Sequence, residues 1–321
     1  MKGEIFASTS QLNLDVLLDN GQSFRCKKEQ NQNCWICVFY HRVWRIWRID
    51  NERIGYEVCH NFDEEMRDSK DLLEEYFQLD IDLEQLYKEW ASKCSYFRKL
   101  IEEKGEVFKG IRILKQEPLE ALFAFIFSAN NNISRISKMV EQFCVLYGTK
   151  IDLNNGTFYN FPTFLQLTNN LSSMEETLRK CGFGYRAKNV SKTVEKLLNE
   201  ESIKNAGGAE CWLKSLGELK YVEASKELQK LPGVGPKVSD CFCLMALGMH
   251  NVVPVDRHIL KLTIEIYKPT FLNLNKTKTT TNLTENLSKQ IGQFYIELFG
   301  DYAGWIQSIL FSTRLGRFKI K

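Results

Sequence analysis

Between Ser23 and Val58 the apolar residues come in short runs, Trp35-Ile36-Cys37-Val38-Phe39 and Val43-Trp44-Arg45-Ile46-Trp47-Arg48-Ile49, broken by polar pieces. Aromatic and β-branched side chains in runs of this length suit a pleated, half-buried surface, so the stretch predicts an antiparallel sheet. Beyond Phe62 the period lengthens. Met66, Leu72, Leu73, Tyr76 and Phe77 recur at helical spacing, as do Leu83, Leu86, Tyr87 and Trp90. From about Glu117 the pattern is helical almost throughout, over 119–127, 133–146, 174–180, 187–198, 222–228, 238–247, 257–266 and 304–312. The expected class is α+β: an N-terminal antiparallel β-sheet domain over 1–108, then an all-α domain over 109–321. At ~150 residues per domain, two is also what the length suggests.

The composition, 44% hydrophobic and 26% charged with only 6 Pro, is that of a globular protein rather than a disordered or fibrous one. No apolar run approaches the ~18 residues of a membrane span, and Met1 to Ala7 lacks the apolar core of a signal peptide. A soluble intracellular chain with no membrane partner is expected. Its 10 cysteines are scattered, so reduced thiols are the expectation. Cys34 and Cys37 form one CxxC, but no second pair follows at zinc spacing and no cysteine lies beyond Cys243, which argues against a zinc site or iron-sulfur cluster. Net charge is +3, unevenly spread: 63–84 carries −8 and the rest of the chain +11. Such a basic remainder is compatible with a polyanionic partner, although a solvated face is the commoner cause of a charge run. Residues 270–285, rich in Thr, Asn and Lys, read as a solvated loop, and Arg314 to Lys321 as a short basic tail.

The most informative stretch is Leu231-Pro232-Gly233-Val234-Gly235-Pro236-Lys237-Val238, set between two apolar helical segments. Gly233 and Gly235 let the backbone turn tightly and bring its N–H groups near a ligand, and the following helix adds unsatisfied N–H groups and the positive end of its dipole. A ligand-free helix-helix turn is the plainer reading of a bare GxG; with Leu-Pro before it and Gly-Pro-Lys-Val after it, a hairpin gripping DNA phosphates is favoured. Lys237 falls in the first helical turn, where the dipole disfavours an ammonium. An amine nucleophile needs a depressed pKa, so Lys237 is read as a nucleophile or as a phosphate contact. Asp256, in Val253-Pro254-Val255-Asp256-Arg257-His258, stands where an N-cap would. A carboxylate near a lysine nucleophile also suits N-glycosidic cleavage, because it stabilises the positive charge that grows on the sugar as the base departs.

Leu231 to Cys241 followed by Val253 to His258 resembles the helix-hairpin-helix DNA glycosylases with a catalytic lysine, specifically the eukaryotic 8-oxoguanine DNA glycosylases. Four further blocks agree: Gly21-Gln22-Ser23-Phe24-Arg25, Asn130 to Ile136, Gly182-Phe183-Gly184-Tyr185-Arg186-Ala187, and Tyr302 to Gln307. The resemblance runs from about residue 20 to 312. The chain departs from the family pattern at Cys26, where Trp is expected, at Pro236 before the lysine, and at Arg257 between Asp256 and His258.

The resemblance implies a bifunctional glycosylase and AP lyase that takes 8-oxoguanine paired with cytosine out of double-stranded DNA, needing neither metal nor cofactor. Lys237 would attack C1′ and form a Schiff base, with Asp256 stabilising the sugar. The flipped base would lie between Cys241 and Phe311, bordered by Pro254. Gln307 would read its Watson–Crick edge, and the Gly21 carbonyl would accept the N7–H that guanine lacks. Asn130, Arg135 and Arg186 would hold the orphaned cytosine and Tyr185 would fill the vacated stack, while Gly233, Gly235 and His258 would meet phosphates. A nuclear monomer is expected. Two rivals remain: a relative resembling endonuclease III with another oxidised base, whose four-cysteine cluster this chain lacks, and a non-catalytic DNA-binding module, which leaves the Lys237 and Asp256 pairing unexplained.

Overall fold

In the sheet, β1 (Lys2–Phe6), β2 (Cys26–Lys28), β3 (Cys34–Phe39), β4 (Arg42–Arg48) and β5 (Arg53–Asn61) are ordered β1-β5-β4-β3-β2, and every neighbouring pair is antiparallel. This is a computed structural model, and it describes residues 1–29, 33–63, 67–268 and 283–315. β3 and β4 join through Tyr40 and His41, both at positive φ, a two-residue turn whose twist matches that of the strands. Trp44, Ile46 and Ile54 are fully buried. Phe39 stacks on Tyr76 with ring centroids 3.8 Å apart, seating the sheet on the Ser69–Phe77 helix. β1 lies outside the predicted stretch: five residues with a single buried apolar side chain carry little signal, and the strand exists by pairing with β5.

The expectation of reduced thiols does not hold throughout. Cys26 and Cys37 face each other across the β2–β3 ladder with Cα atoms 4.1 Å apart and form a disulfide. Strand register, which the sequence does not display, brings them together. The departure at Cys26 is thus filled by a cross-strand link.

The helical expectations are met by the helices Pro118–Ser128, Ile133–Tyr147, Leu171–Lys180, Arg186–Asn199, Tyr221–Gln229, Pro236–Met245, Arg257–Tyr267 and Ala303–Ser312. The helical part is not free of strand, however. β6 (Lys150–Leu153) and β7 (Gly156–Tyr159) form a hairpin around Asn154-Asn155. The polar turn ahead of Gly156 and the alternation in Lys150-Ile151-Asp152-Leu153 were its signals, outweighed by the long helical patterns on either side. Met66, residues 270–282 of the Thr-rich segment and residues 316–321 of the basic tail lie outside the described residues. Among the described residues no helix is long and apolar enough to cross a membrane.

Between the sheet and the helices runs the extended segment Ile111 to Gln116. Arg112 within it is almost fully buried and donates to the carbonyls of Phe77 (2.8 Å), Gln11 (3.0 Å), Gln78 and Ile81. Its guanidinium lies 5.6 Å from the Trp305 ring, so the last helix and the N-terminal segment are fastened to one cation. Nothing in the linear pattern singled out this residue.

Candidate active site

The Leu231 to Gly235 turn closes the Tyr221–Gln229 helix against the Pro236–Met245 helix. Gly233 takes φ +85, and a Cβ there would come within 2.9 Å of Asn189, so the position suits glycine alone. Leu231 and Val234 are buried and anchor the turn, and Thr193 Oγ1 donates to the Pro232 carbonyl at 2.8 Å. Gly235 is the N-cap of the second helix and is exposed, with Pro236 at its first position, where a missing N–H costs nothing. Within the turn the Leu231 and Val234 N–H groups are taken up by the carbonyls of Leu228 and Leu231, and Gly235 stands exposed at the positive end of a helix.

Lys237, Cys241 and Met245 are spaced four apart on that helix and so share one face. This face lines a cavity of about 1210 Å³, together with Gly21, Asn130, Gly233, Gly235, Pro254, Asp256, His258, Gln307 and Phe311. Lys237 is half-buried, with Nζ 5.8 Å from the centroid of the Phe125 ring. Cys241 and Gln307 are buried, while Phe311 is partly open and meets the His258 ring edge-on at 6.1 Å between centroids. Asp256 caps the Arg257–Tyr267 helix, its Oδ1 accepting from His258 N at 2.8 Å and Ile259 N at 2.9 Å. The capping reading and the placement beside Lys237 hold together, because the cap fixes the carboxylate at the cavity wall.

The expected depression of the Lys237 pKa is overturned. Burial acts against the ammonium, but the Cys241 sulfur and the Asp256 and Asp240 carboxylates outweigh it and hold the pKa above the ordinary lysine value. Burial in turn pushes the Cys241 thiol up, although Lys237 opposes it. A helix dipole acts over about one turn and contributes roughly 0.3–1 kcal/mol, whereas the full charge of a nearby carboxylate acts more strongly on an ammonium. Asp240, one turn beyond Lys237, is buried and accepts from Tyr221 Oη at 2.7 Å; burial raises its carboxyl to about 6.

A second group gathers beside the cavity. Tyr185 is exposed, its Oη donating to the Ala129 carbonyl at 3.0 Å. Arg186 is buried; its Nη2 donates to the carbonyls of Asn130 (2.9 Å) and Ala129, its Nε has no hydrogen-bond partner, and its guanidinium stands 4.7 Å from the Tyr185 ring. Arg135 is exposed and reaches the Gly182 carbonyl at 3.2 Å. Asn130, at φ +48, is exposed and belongs both to this group and to the cavity wall. Residues drawn from all six blocks thus come together on one side of the molecule. Phe125 and Met245 also line the cavity and were not singled out from the sequence; for Met245 the fourfold spacing from Cys241 was the available signal.

Residues 4–122 match the family model described as 8-oxoguanine DNA glycosylase, N-terminal domain, and residues 123–292 match that of the HhH-GPD superfamily base excision DNA repair protein. The chain is 35% identical to an N-glycosylase/DNA lyase of Saccharomyces cerevisiae, over 98% of this chain and 86% of the relative. It is 33% identical to the N-glycosylase/DNA lyase OGG1 of Arabidopsis thaliana, over 95% and 78% of the two chains. The structure superposes with a TM-score of 0.76 on the Clostridium acetobutylicum 8-oxoguanine glycosylase/lyase in complex with double-stranded DNA containing cytosine opposite 8-oxoG. The two are 29% identical, covering 97% of this chain and 96% of that one.

Proposed function

The chain belongs to the 8-oxoguanine DNA glycosylase family within the HhH-GPD superfamily, and from that premise we propose that it excises 8-oxoguanine paired with cytosine and then cleaves the abasic strand as a lyase. The observation that carries this reading is the convergence of Lys237, Asp256, Cys241, Gln307 and Phe311 on one cavity. The C1′ bond is inaccessible inside a duplex, so the damaged nucleotide is flipped into the cavity. Cys241 and Phe311 flank the base, Pro254 borders it, Gln307 reads its Watson–Crick edge and the Gly21 carbonyl takes its N7–H. Tyr185 fills the gap left in the stack, and Asn130, Arg135 and Arg186 hold the orphaned cytosine. Phosphates lie against the Gly233 and Gly235 amides and against His258.

Lys237 first gives up a proton to solvent water. Its Nζ then forms a bond to C1′ as the bond from C1′ to the base breaks and the base leaves with the electron pair, taking up a proton from water. The sugar ring opens to give an imine, loss of a C2′ proton expels the 3′ phosphate, and water releases the lysine. The Asp256 carboxylate stabilises the cationic sugar at the first of these steps. The protein is proposed to act as a monomer in the nucleus.

Borohydride, which reduces an imine to a stable amine, tests the reading. An 8-oxoguanine:cytosine duplex should become covalently linked to the protein, and Lys237→Gln should abolish the link. Tight binding with no adduct in the wild type would leave only a DNA-binding module, and a faster adduct with an oxidised pyrimidine would point to a different lesion.

A further inference from the structure

We propose that Gln116 is a positioning residue for lesion discrimination: from outside the cavity it ties the Gly21–Gln22 segment to the helix that carries Lys237 and Cys241, and so sets where the Gly21 carbonyl meets the base. The inference rests on the reading that this carbonyl accepts the N7–H of 8-oxoguanine.

The Gly21 carbonyl and the Gln22 N–H belong to one planar trans peptide and point in opposite directions. The Gln22 N–H donates to Asn20 Oδ1 at 3.3 Å, and both residues are buried. That bond orients the peptide, and the carbonyl is directed away from Asn20. The Gln22 side chain then behaves as an extra peptide unit laid along the 112–114 segment. Its Nε2 donates to the Arg112 carbonyl at 2.8 Å, and its Oε1 accepts from Leu114 N at 2.9 Å.

The remaining polar group of Gln22, its backbone carbonyl, accepts from Gln116 Nε2 at 2.9 Å. The same Nε2 lies 3.6 Å from Met245 Sδ, and the Gln116 backbone N–H donates to the Met245 carbonyl at 2.8 Å. Met245 ends the helix whose one face bears Lys237, Cys241 and Met245 itself. One amide nitrogen therefore bridges the two halves of the pocket, the segment that reads N7 and the helix that supplies the amine. Gln116 is buried and lines a different cavity, not the one that Lys237 and Cys241 line, so it stands outside the pocket assigned to the flipped base.

Gln116→Met keeps the side-chain length and the backbone bond to Met245 but removes the donor, leaving the buried Gln22 carbonyl without its partner. Opening of an abasic strand requires Lys237 but places no base against Gly21, so the two activities separate a positioning role from a general loss of structure. Binding of the Lys237→Gln protein to 8-oxoguanine:cytosine and guanine:cytosine duplexes should show a preference for the lesion. Adding Gln116→Met should reduce that preference by about tenfold. In an otherwise wild-type protein, Gln116→Met should slow 8-oxoguanine excision and leave borohydride trapping on a preformed abasic duplex unchanged. An unaltered preference overturns the proposal, and so does a parallel loss of excision and abasic trapping. If Lys237→Gln alone binds the two duplexes equally, it is the Gly21 reading that fails.

Discussion

Asp256 Oδ1 accepts the backbone N–H of His258 at 2.8 Å, so the carboxylate assigned to the chemistry is held by the helix it starts. Both capping bonds fall on that one oxygen. Cap and charge can therefore be separated by substitution, since Asn is as good an N-cap as Asp.

Asp256→Asn should fold with unchanged melting temperature and bind 8-oxoguanine:cytosine duplex as the wild type does, because the cap survives. Base excision in single turnover should fall by about 10²–10³-fold, the usual effect of removing one electrostatic stabiliser. A wild-type rate would remove Asp256 from the mechanism.

The raised pKa of Lys237 makes a prediction about pH. The nucleophile is the neutral amine, and with a pKa above the ordinary ~10.4 only a small fraction is neutral at pH 7. That fraction grows about tenfold per pH unit below the pKa. Rates of borohydride-trappable adduct formation should rise through the alkaline range, and levelling near neutrality would show that the surrounding carboxylates do not govern the amine.

Asp240 titrates in the other sense. Its folded-state carboxyl, raised to about 6 from 3.8, binds a proton more tightly than in the unfolded chain. Its contribution to stability is therefore lost as pH rises from ~4 to ~6, and the full penalty is present at neutral pH. Asp240→Asn keeps an acceptor for Tyr221 Oη and removes the charge. It should stabilise the protein at pH 7 by roughly 1–3 kcal/mol and flatten the decline between those pH values in chemical denaturation. Lower stability at pH 7 would mean that the electrostatic attraction of Lys237 and Lys289 matters more than burial.

Arg186 hangs from the carbonyls of Ala129 and Asn130 with its Nε unpartnered, a guanidinium with donor capacity to spare. Arg186→Ala should narrow the preference for cytosine over adenine opposite the lesion by about tenfold, the scale of one polar base contact. Excision rates from the two duplexes measure it, and an unchanged ratio would withdraw the assignment.

Helices and hairpin were legible because their causes are local. Periodicity placed the helices it named to within a few residues but did not single out Ser95–Phe108 or Glu285–Phe299, and the Leu231 to Val238 stretch carries its own turn, helix start and lysine. The resemblance of six blocks then identified residues, such as Gly21 and Phe311, that no local pattern distinguishes from turn and core. β1 and the β6–β7 hairpin escaped notice because short strands owe their existence to a partner.

The sequence by itself determined which side chains were available and which segments would turn or coil, since backbone preference and the burial of an apolar stripe act within a few neighbouring residues. Only the tertiary structure decided that Cys26 would face Cys37, that Gln116 would bridge Gln22 and Met245, and that Lys237 would hold its proton more firmly than a free lysine. Those outcomes depend on the register of strands, on donors and acceptors about ninety residues or more apart in the chain, and on carboxylates brought close to one amine. Each is a sum over three-dimensional neighbours, and no such sum can be formed from the order of residues alone.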